Sequence, residues 1–122
     1  MTQLKVYGLN SCDTCRKARK WLDSQKVDYQ FYDVRKDGLE AAELKRWLQS
    51  SFGDKLLNRQ STTWRQLSDK QKDAAESEPL ELLLEHPALI KRPVFVRAEK
   101  VLAIGFKPET LSEAVNASGG SQ

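Results

Sequence analysis

The chain has 122 residues, 39% of them apolar and 30% charged, with a formal net charge of +3. That length predicts one domain, 1–122, able to bury a real core, and the composition is that of a globular protein rather than a disordered or fibrous one. The charge is too small to indicate a nucleic-acid partner, and no apolar run approaches the ~20 residues of a membrane span. The opening Met1-Thr2-Gln3-Leu4-Lys5 has no signal-peptide apolar region. With two cysteines in all, a reducing cytoplasm is the expected compartment. No membrane partner is expected, and a monomer is.

In chain order, Leu4 and Val6 alternate with polar residues and predict a strand over about Gln3–Tyr7. Gly8 and Asn10 mark the turn that follows. Cys15, Ala18 and Leu22 recur at helical spacing, predicting a helix over about Asp13–Gln25. Its basic run Arg16-Lys17-Ala18-Arg19-Lys20 reads either as a solvated face or as a positive field beside Cys12. Tyr29 and Phe31 alternate within a second strand over about Asp28–Val34, which completes a βαβ unit.

Asp33-Val34-Arg35-Lys36-Asp37-Gly38 is a charged turn. Leu39–Phe52 reads as a helix with Leu44, Trp47 and Leu48 on one face and Gly53 as its stop. A short helical turn is expected over Asp54–Asn58, then a polar loop Ser61–Arg65 anchored by Trp64. Ser68 and Gln71 form a capping-box pattern that opens the next helix. Ser77-Glu78-Pro79 opens another, with Leu80, Leu83 and Leu84 as its apolar side and an end near His86-Pro87. Pro93 precedes the strand Val94-Phe95-Val96. A turn at Ala98-Glu99-Lys100 leads to a last strand, Val101–Phe106, and the two form a hairpin. A helix Pro108–Val115 and a polar tail over 117–122 end the chain. No internal repeat is visible.

The chemistry concentrates at Cys12. It lies in the loop between the first strand and helix, where unpaired backbone N–H groups and the positive end of the helix dipole stabilise a thiolate. Cys15 is one helical turn away, and Cys-x-x-Cys beside a βαβ pattern reads as a thioredoxin-like redox motif. A zinc site normally needs four ligands, and two cysteines with one histidine do not supply them, so no metal is expected. A permanent disulfide and two unrelated core cysteines are the bland alternatives. Cys15 reads either as a resolving thiol or as a buried apolar contact. His86 reads as structural, and Arg35, Arg65 and Lys91 as surface charges.

The element order βαβ, helical block, ββα is that of an α/β, thioredoxin-like fold around a mixed sheet, with a helical insertion at about 39–85. In that fold a cis proline before the third strand faces the redox cysteine, and Pro93 occupies that place. Asn10-Ser11-Cys12-Asp13-Thr14-Cys15-Arg16, the helical insertion and Leu89-Ile90-Lys91-Arg92-Pro93 together resemble the glutaredoxin-coupled arsenate reductase (ArsC-like) family over roughly residues 3–115. Thr62-Thr63-Trp64-Arg65 and the Cys12-Asp13-Thr14 loop are most similar to its YffB-like branch; the regulator Spx is another branch.

The resemblance implies a nucleophile at Cys12, resolved by glutathione or Cys15, and an anion site made by Arg16, Arg59, Arg92 and Pro93. It implies a glutathione-dependent thiol reductase with no bound cofactor. Its partners would be glutathione as reductant or co-substrate, a small thiol, disulfide or oxyanion substrate, and glutaredoxin. Arsenate reduction and Spx-like redox sensing are the alternatives it carries. The sequence departs from true arsenate reductases at Gly8, where histidine is common, at Asp13, where glycine usually follows the nucleophile, and at Arg59, which comes one place late after Leu56-Leu57-Asn58.

Overall fold

A computed structural model describes residues 3–109 and 111–112. Within it the chain divides into two compact units, one formed by the described residues of Met1–Gly38 and Arg92–Gln122, the other by Leu39–Lys91.

The first unit holds a four-stranded sheet in the order β2-β1-β3-β4. Its strands are β1 Leu4–Gly8, β2 Tyr29–Asp33, β3 Val94–Arg97 and β4 Lys100–Ile104. β1 runs parallel to β2 and antiparallel to β3, and β3 is antiparallel to β4. The parallel pair needs a crossover, which is helix α1, Asp13–Ser24. Leu4, Val6, Phe95 and Ala103 point to the α1 face, where Ala18, Leu22 and Leu111 close the core. Tyr7 and Tyr32, opposite each other in register, stack with ring centroids 5.0 Å apart.

The hairpin turns on Ala98 and Glu99, both at positive φ (52° and 64°). Two successive residues of that kind are what a tight hairpin requires to match strand twist. Lys100, expected in the turn, therefore already belongs to β4. Residues 108–109 and 111–112 are helical; the rest of the expected Pro108–Val115 helix and the tail lie outside the described residues.

The second unit packs α2 Ala41–Gln49, α3 Thr62–Arg65, α4 Asp69–Ser77 and α5 Pro79–Glu85, with 3-10 turns at Gly53–Lys55 and Pro87–Leu89. Leu44 and Trp47 are buried on α2. The expected capping box is present: Gln71 N–H donates to Ser68 Oγ (3.1 Å) and Ser68 N–H to Gln71 Oε1 (2.9 Å). Two expectations are corrected. Ser61–Arg65 is not a loop: Ser61 Oγ accepts Trp64 N–H at 3.1 Å and caps a one-turn helix. On α5 the buried residues are Leu82 and Leu83, while Leu80 and Leu84 stay half-exposed; in a leucine-rich helix of seven residues, spacing cannot choose the face. The ends of the unit are tied by Asn58 N–H to Leu89 O and Lys91 N–H to Leu56 O, both 2.7 Å. Among the described residues no helix is long and apolar enough to cross a membrane.

Candidate active site

β1 ends at Gly8, and the chain makes one turn, with Cys12 N–H donating to Leu9 O at 3.1 Å. Cys12 is the N-cap of α1 in extended conformation (φ −84°, ψ 122°), and its carbonyl accepts Arg16 N–H at 3.0 Å. Glycine stands at position 8 for a steric reason. A Cβ at that position would overlap the Cys15 sulfur and come within 3.4 Å of Phe31. Gly8 thus makes the space in which Cys15 sits fully buried, on the same α1 face as Ala18 and Leu22.

Both cysteines are free, Cys12 half-buried and Cys15 buried. Arg92 reaches them from the β3 side of β1. Tyr7 pairs with Val94, so the Arg92–Pro93 peptide, which is cis, lies beside the strand end that opens the cysteine loop. Pro93 is buried, and its carbonyl accepts Gly105 N–H at 2.8 Å.

The two thiols are pushed in opposite directions. Burial works to raise the Cys12 thiol, but the Cys15 backbone N–H and thiol, and then the hydrogen bond and charge of Arg92, outweigh it and leave Cys12 below its ordinary value. The Cys12 sulfur makes no full N-cap hydrogen bond, so the Cys15 N–H acts on it chiefly as a nearby dipole. Cys15 is pushed up to about 12, by burial first and then by the neighbouring Cys12; the Leu9 N–H and the Arg92 charge oppose this without reversing it.

Of the residues expected at the site, Cys12, Cys15 and Arg92 are brought together, and Pro93 follows Arg92 in the chain. Arg16 is not aimed at the sulfur. Its guanidinium pairs with the Asp13 carboxylate and donates to Asn10 O at 3.4 Å, because an i, i+3 spacing puts Arg16 and Asp13 side by side on the exposed face of the first turn. The expected lowering of Cys12 is present, but its cation is Arg92. Arg59 belongs to the second unit, where Nε and Nη2 both donate to Glu76 Oε1 (3.1 and 2.6 Å). Arg59 and Lys72 each stand 5.8 Å from the Trp64 ring centroid, so Trp64 anchors a cationic cluster. Among the described residues no group of three or more His, Cys, Asp or Glu is placed to hold a metal.

One residue at the site was not singled out from the sequence. Asp33, at the end of β2 opposite Gly8, is the one buried charged side chain among the described residues. Its Oδ2 accepts Asn10 N–H and its Oδ1 accepts Arg35 and Lys36 N–H, all at 2.9 Å. The available signal was an Asp followed by a turn, the pattern of a side chain bonding backbone two and three residues on.

Known proteins share this fold. A solved structure named YFFB protein is 40% identical, with a TM-score of 0.83, covering 92% of this chain and 98% of its own. An arsenate reductase (ArsC) related protein from Brucella melitensis is also 40% identical, with a TM-score of 0.72, covering 92% of both chains. The global transcriptional regulator Spx 2 of Bacillus anthracis is 30% identical over 108 residues, 87% of this chain and 82% of its own. The thioredoxin-like fold with its interposed helices is common to the solved relatives. The model of the ArsC family matches residues 7–114, a span that runs from the end of β1 through the cysteine loop and the cis proline, and the chain belongs to that family.

Proposed function

We propose that the protein is a glutathione-dependent thiol–disulfide oxidoreductase in which Cys12 is the nucleophile. The observation that carries this reading is the split between the two thiols, Cys12 held below its ordinary value and Cys15 pushed up to about 12. One member of the pair is then the more readily ionised, and the other stays protonated as its hydrogen-bond donor. Family membership supports redox chemistry at this cysteine in general terms.

In the proposed cycle the Cys12 thiolate attacks the glutathionyl sulfur of a mixed disulfide. The Cys12–glutathione bond forms, the substrate S–S bond breaks, and the substrate leaves as a thiolate that takes a proton from water. A second glutathione thiolate attacks the glutathionyl sulfur, regenerates the Cys12 thiolate and leaves as oxidised glutathione. Across the two steps the substrate sulfur falls from disulfide to thiol level, the incoming glutathione sulfur rises from thiol to disulfide level, and the transferred glutathionyl sulfur stays at disulfide level throughout. Arg92 beside cis Pro93 offers a planar donor fork for a glutathione carboxylate, while Arg16 at the mouth of the loop already pairs with Asp13.

Two other readings keep some support. Solved relatives named for arsenate reductase favour an oxyanion at Cys12; Arg59, expected as a third arginine for it, has a carboxylate partner in Glu76. The similarity to Spx 2, named a transcriptional regulator, favours a redox-sensing binding protein that uses the same cysteine pair. Mass spectrometry after incubation with oxidised glutathione tests the leading reading. A glutathione adduct confined to Cys12, discharged by added glutathione, is expected; no adduct, or one on Cys15 alone, refutes it.

A further inference from the structure

We infer that Asp33 is a positioning residue whose buried carboxylate holds the Leu9–Cys12 loop in the shape that makes Cys12 reactive. The inference rests on Cys12 being the reactive thiol, as proposed above, and it concerns how the fold keeps that thiol in place.

The carboxylate is first fixed by its own strand and turn. Asp33 pairs with Gly8, and Val34 N–H donates to Gly8 O at 2.8 Å. Asp33 N–H donates to Asp37 Oδ2 at 2.9 Å, and Asp33 O accepts Asp37 N–H at 2.8 Å. Oδ1 is then occupied by the Arg35 and Lys36 N–H groups. Oδ2 is left to reach across to Asn10 N–H at 2.9 Å, and this is the contact that passes from the β2 turn into the cysteine loop.

That contact falls on one particular peptide unit. Asn10 N–H and Leu9 C=O belong to the same planar amide. Asp33 takes its N–H, while Cys12 N–H donates to its C=O at 3.1 Å. The amide is held at both ends, and the bonds polarise one another in the sense that strengthens both. The adjoining Leu9 N–H acts on the Cys15 sulfur. A single carboxylate therefore sets the segment from which both thiols take their places relative to each other and to Arg92.

Two simpler accounts predict different outcomes. If Asp33 only stabilises its turn, its loss lowers stability without touching Cys12. If Asp33 acts on Cys12 through its negative charge, its removal makes the thiol more acidic. If it positions the loop, its removal makes the thiol less acidic, because Cys12 drifts from the Cys15 N–H and Arg92. The sign of the shift separates the three.

The experiment measures the pH midpoint of iodoacetamide alkylation at Cys12, read by peptide mass spectrometry, in wild type, Asp33→Asn and Asp37→Ala. An Asn at 33 must either turn an N–H donor toward Asn10 or abandon the turn amides. The expected result is a rise of about half a unit or more in Asp33→Asn, which is about a threefold fall in thiolate below the midpoint, and no rise in Asp37→Ala. A fall, no change, or an equal rise in Asp37→Ala overturns the inference. Should Asp33→Asn not fold, amide NMR of the wild-type protein decides. Asn10, Arg35 and Lys36 N–H shifts are expected to titrate together in acid with one midpoint, and an Asn10 amide that ignores that titration overturns the inference. A wild-type Cys12 midpoint at the ordinary thiol value would instead sink the reading of Cys12 itself, which keeps the two failures apart.

Discussion

Replacing Arg92 by alanine tests whether a side chain from the far side of β1 activates Cys12. Arg92 contributes a hydrogen bond and a charge to the Cys12 sulfur. A hydrogen bond to a charged partner is worth about 1.5–3 kcal/mol, and a pKa unit corresponds to about 1.36 kcal/mol. Both side chains are half-buried, so water recovers part of the loss and the lower end applies. The Cys12 midpoint should rise by about one unit, and alkylation below the midpoint should slow about tenfold. Arg92→Lys keeps the charge without the planar fork and should recover part of the effect. The assay is the alkylation rate against pH, with a thermal melt of each variant beside it. A midpoint unmoved in Arg92→Ala, or moved equally in Ala and Lys alongside a large loss of melting temperature, would make Arg92 a packing residue and refute the reasoning.

The same geometry makes three further predictions. Cys12→Ser should abolish glutathione-dependent thiol reduction, while Cys15→Ser should keep most activity in excess glutathione and accumulate the Cys12–glutathione adduct; turnover and intact mass measure both. Gly8→Ala should destabilise by about 1–3 kcal/mol, since its Cβ overlaps the Cys15 sulfur. The loss should shrink in a Cys15→Ala background, which a double-mutant cycle in urea will show. Burial works to raise the Asp33 carboxyl, but the Asn10, Lys36 and Arg35 N–H groups and the Arg35 charge outweigh it and hold it below the usual range. Its stabilisation is therefore present above the unfolded value of about 3.9 and is lost as the pH falls through the lower folded value. Urea midpoints measured down the acid range should fall in wild type and fall less in Asp33→Asn.

Periodicity carried most of the fold. Leu4 and Val6 at spacing two, and Cys15, Ala18 and Leu22 at helical spacing, are fixed by which face meets the core, and they are the residues the core contains. Pro93 was legible because it directly precedes the third strand, the place of the cis proline in the fold that the element order implied. What escaped was decided by contacts between segments far apart in sequence. Arg16 is near Cys12 along the chain, yet the helix turns it toward Asp13; Arg92, far from Cys12 in sequence, was expected at the site only through the family resemblance, and the β1–β3 pairing delivers it. Asp33 looked like one charge in a charged turn, because nothing local says that a strand end faces a loop twenty-three residues earlier. α5 failed for the opposite reason: four leucines in one short helix carry no contrast for periodicity to use.

The high value of Cys15 also orders the events at the site. Pushed up to about 12, Cys15 stays protonated where Cys12, held below its ordinary value, ionises more readily. Two of the causes that raise it are the hydrogen bond and the charge of Cys12. Both disappear once Cys12 is bonded to another sulfur and carries no charge. Burial remains, opposed by the Leu9 N–H and the Arg92 charge. Cys15 therefore becomes a better nucleophile only after Cys12 has reacted, and it then lies one helical turn from a disulfide. Under the proposed function the order follows from the pair: Cys12 meets the substrate, and the buried thiol gains its chance to resolve the adduct from the reaction that formed it. Glutathione in excess arrives from solvent without that burial to overcome, so whether the intramolecular exit is used depends on how much glutathione competes with it.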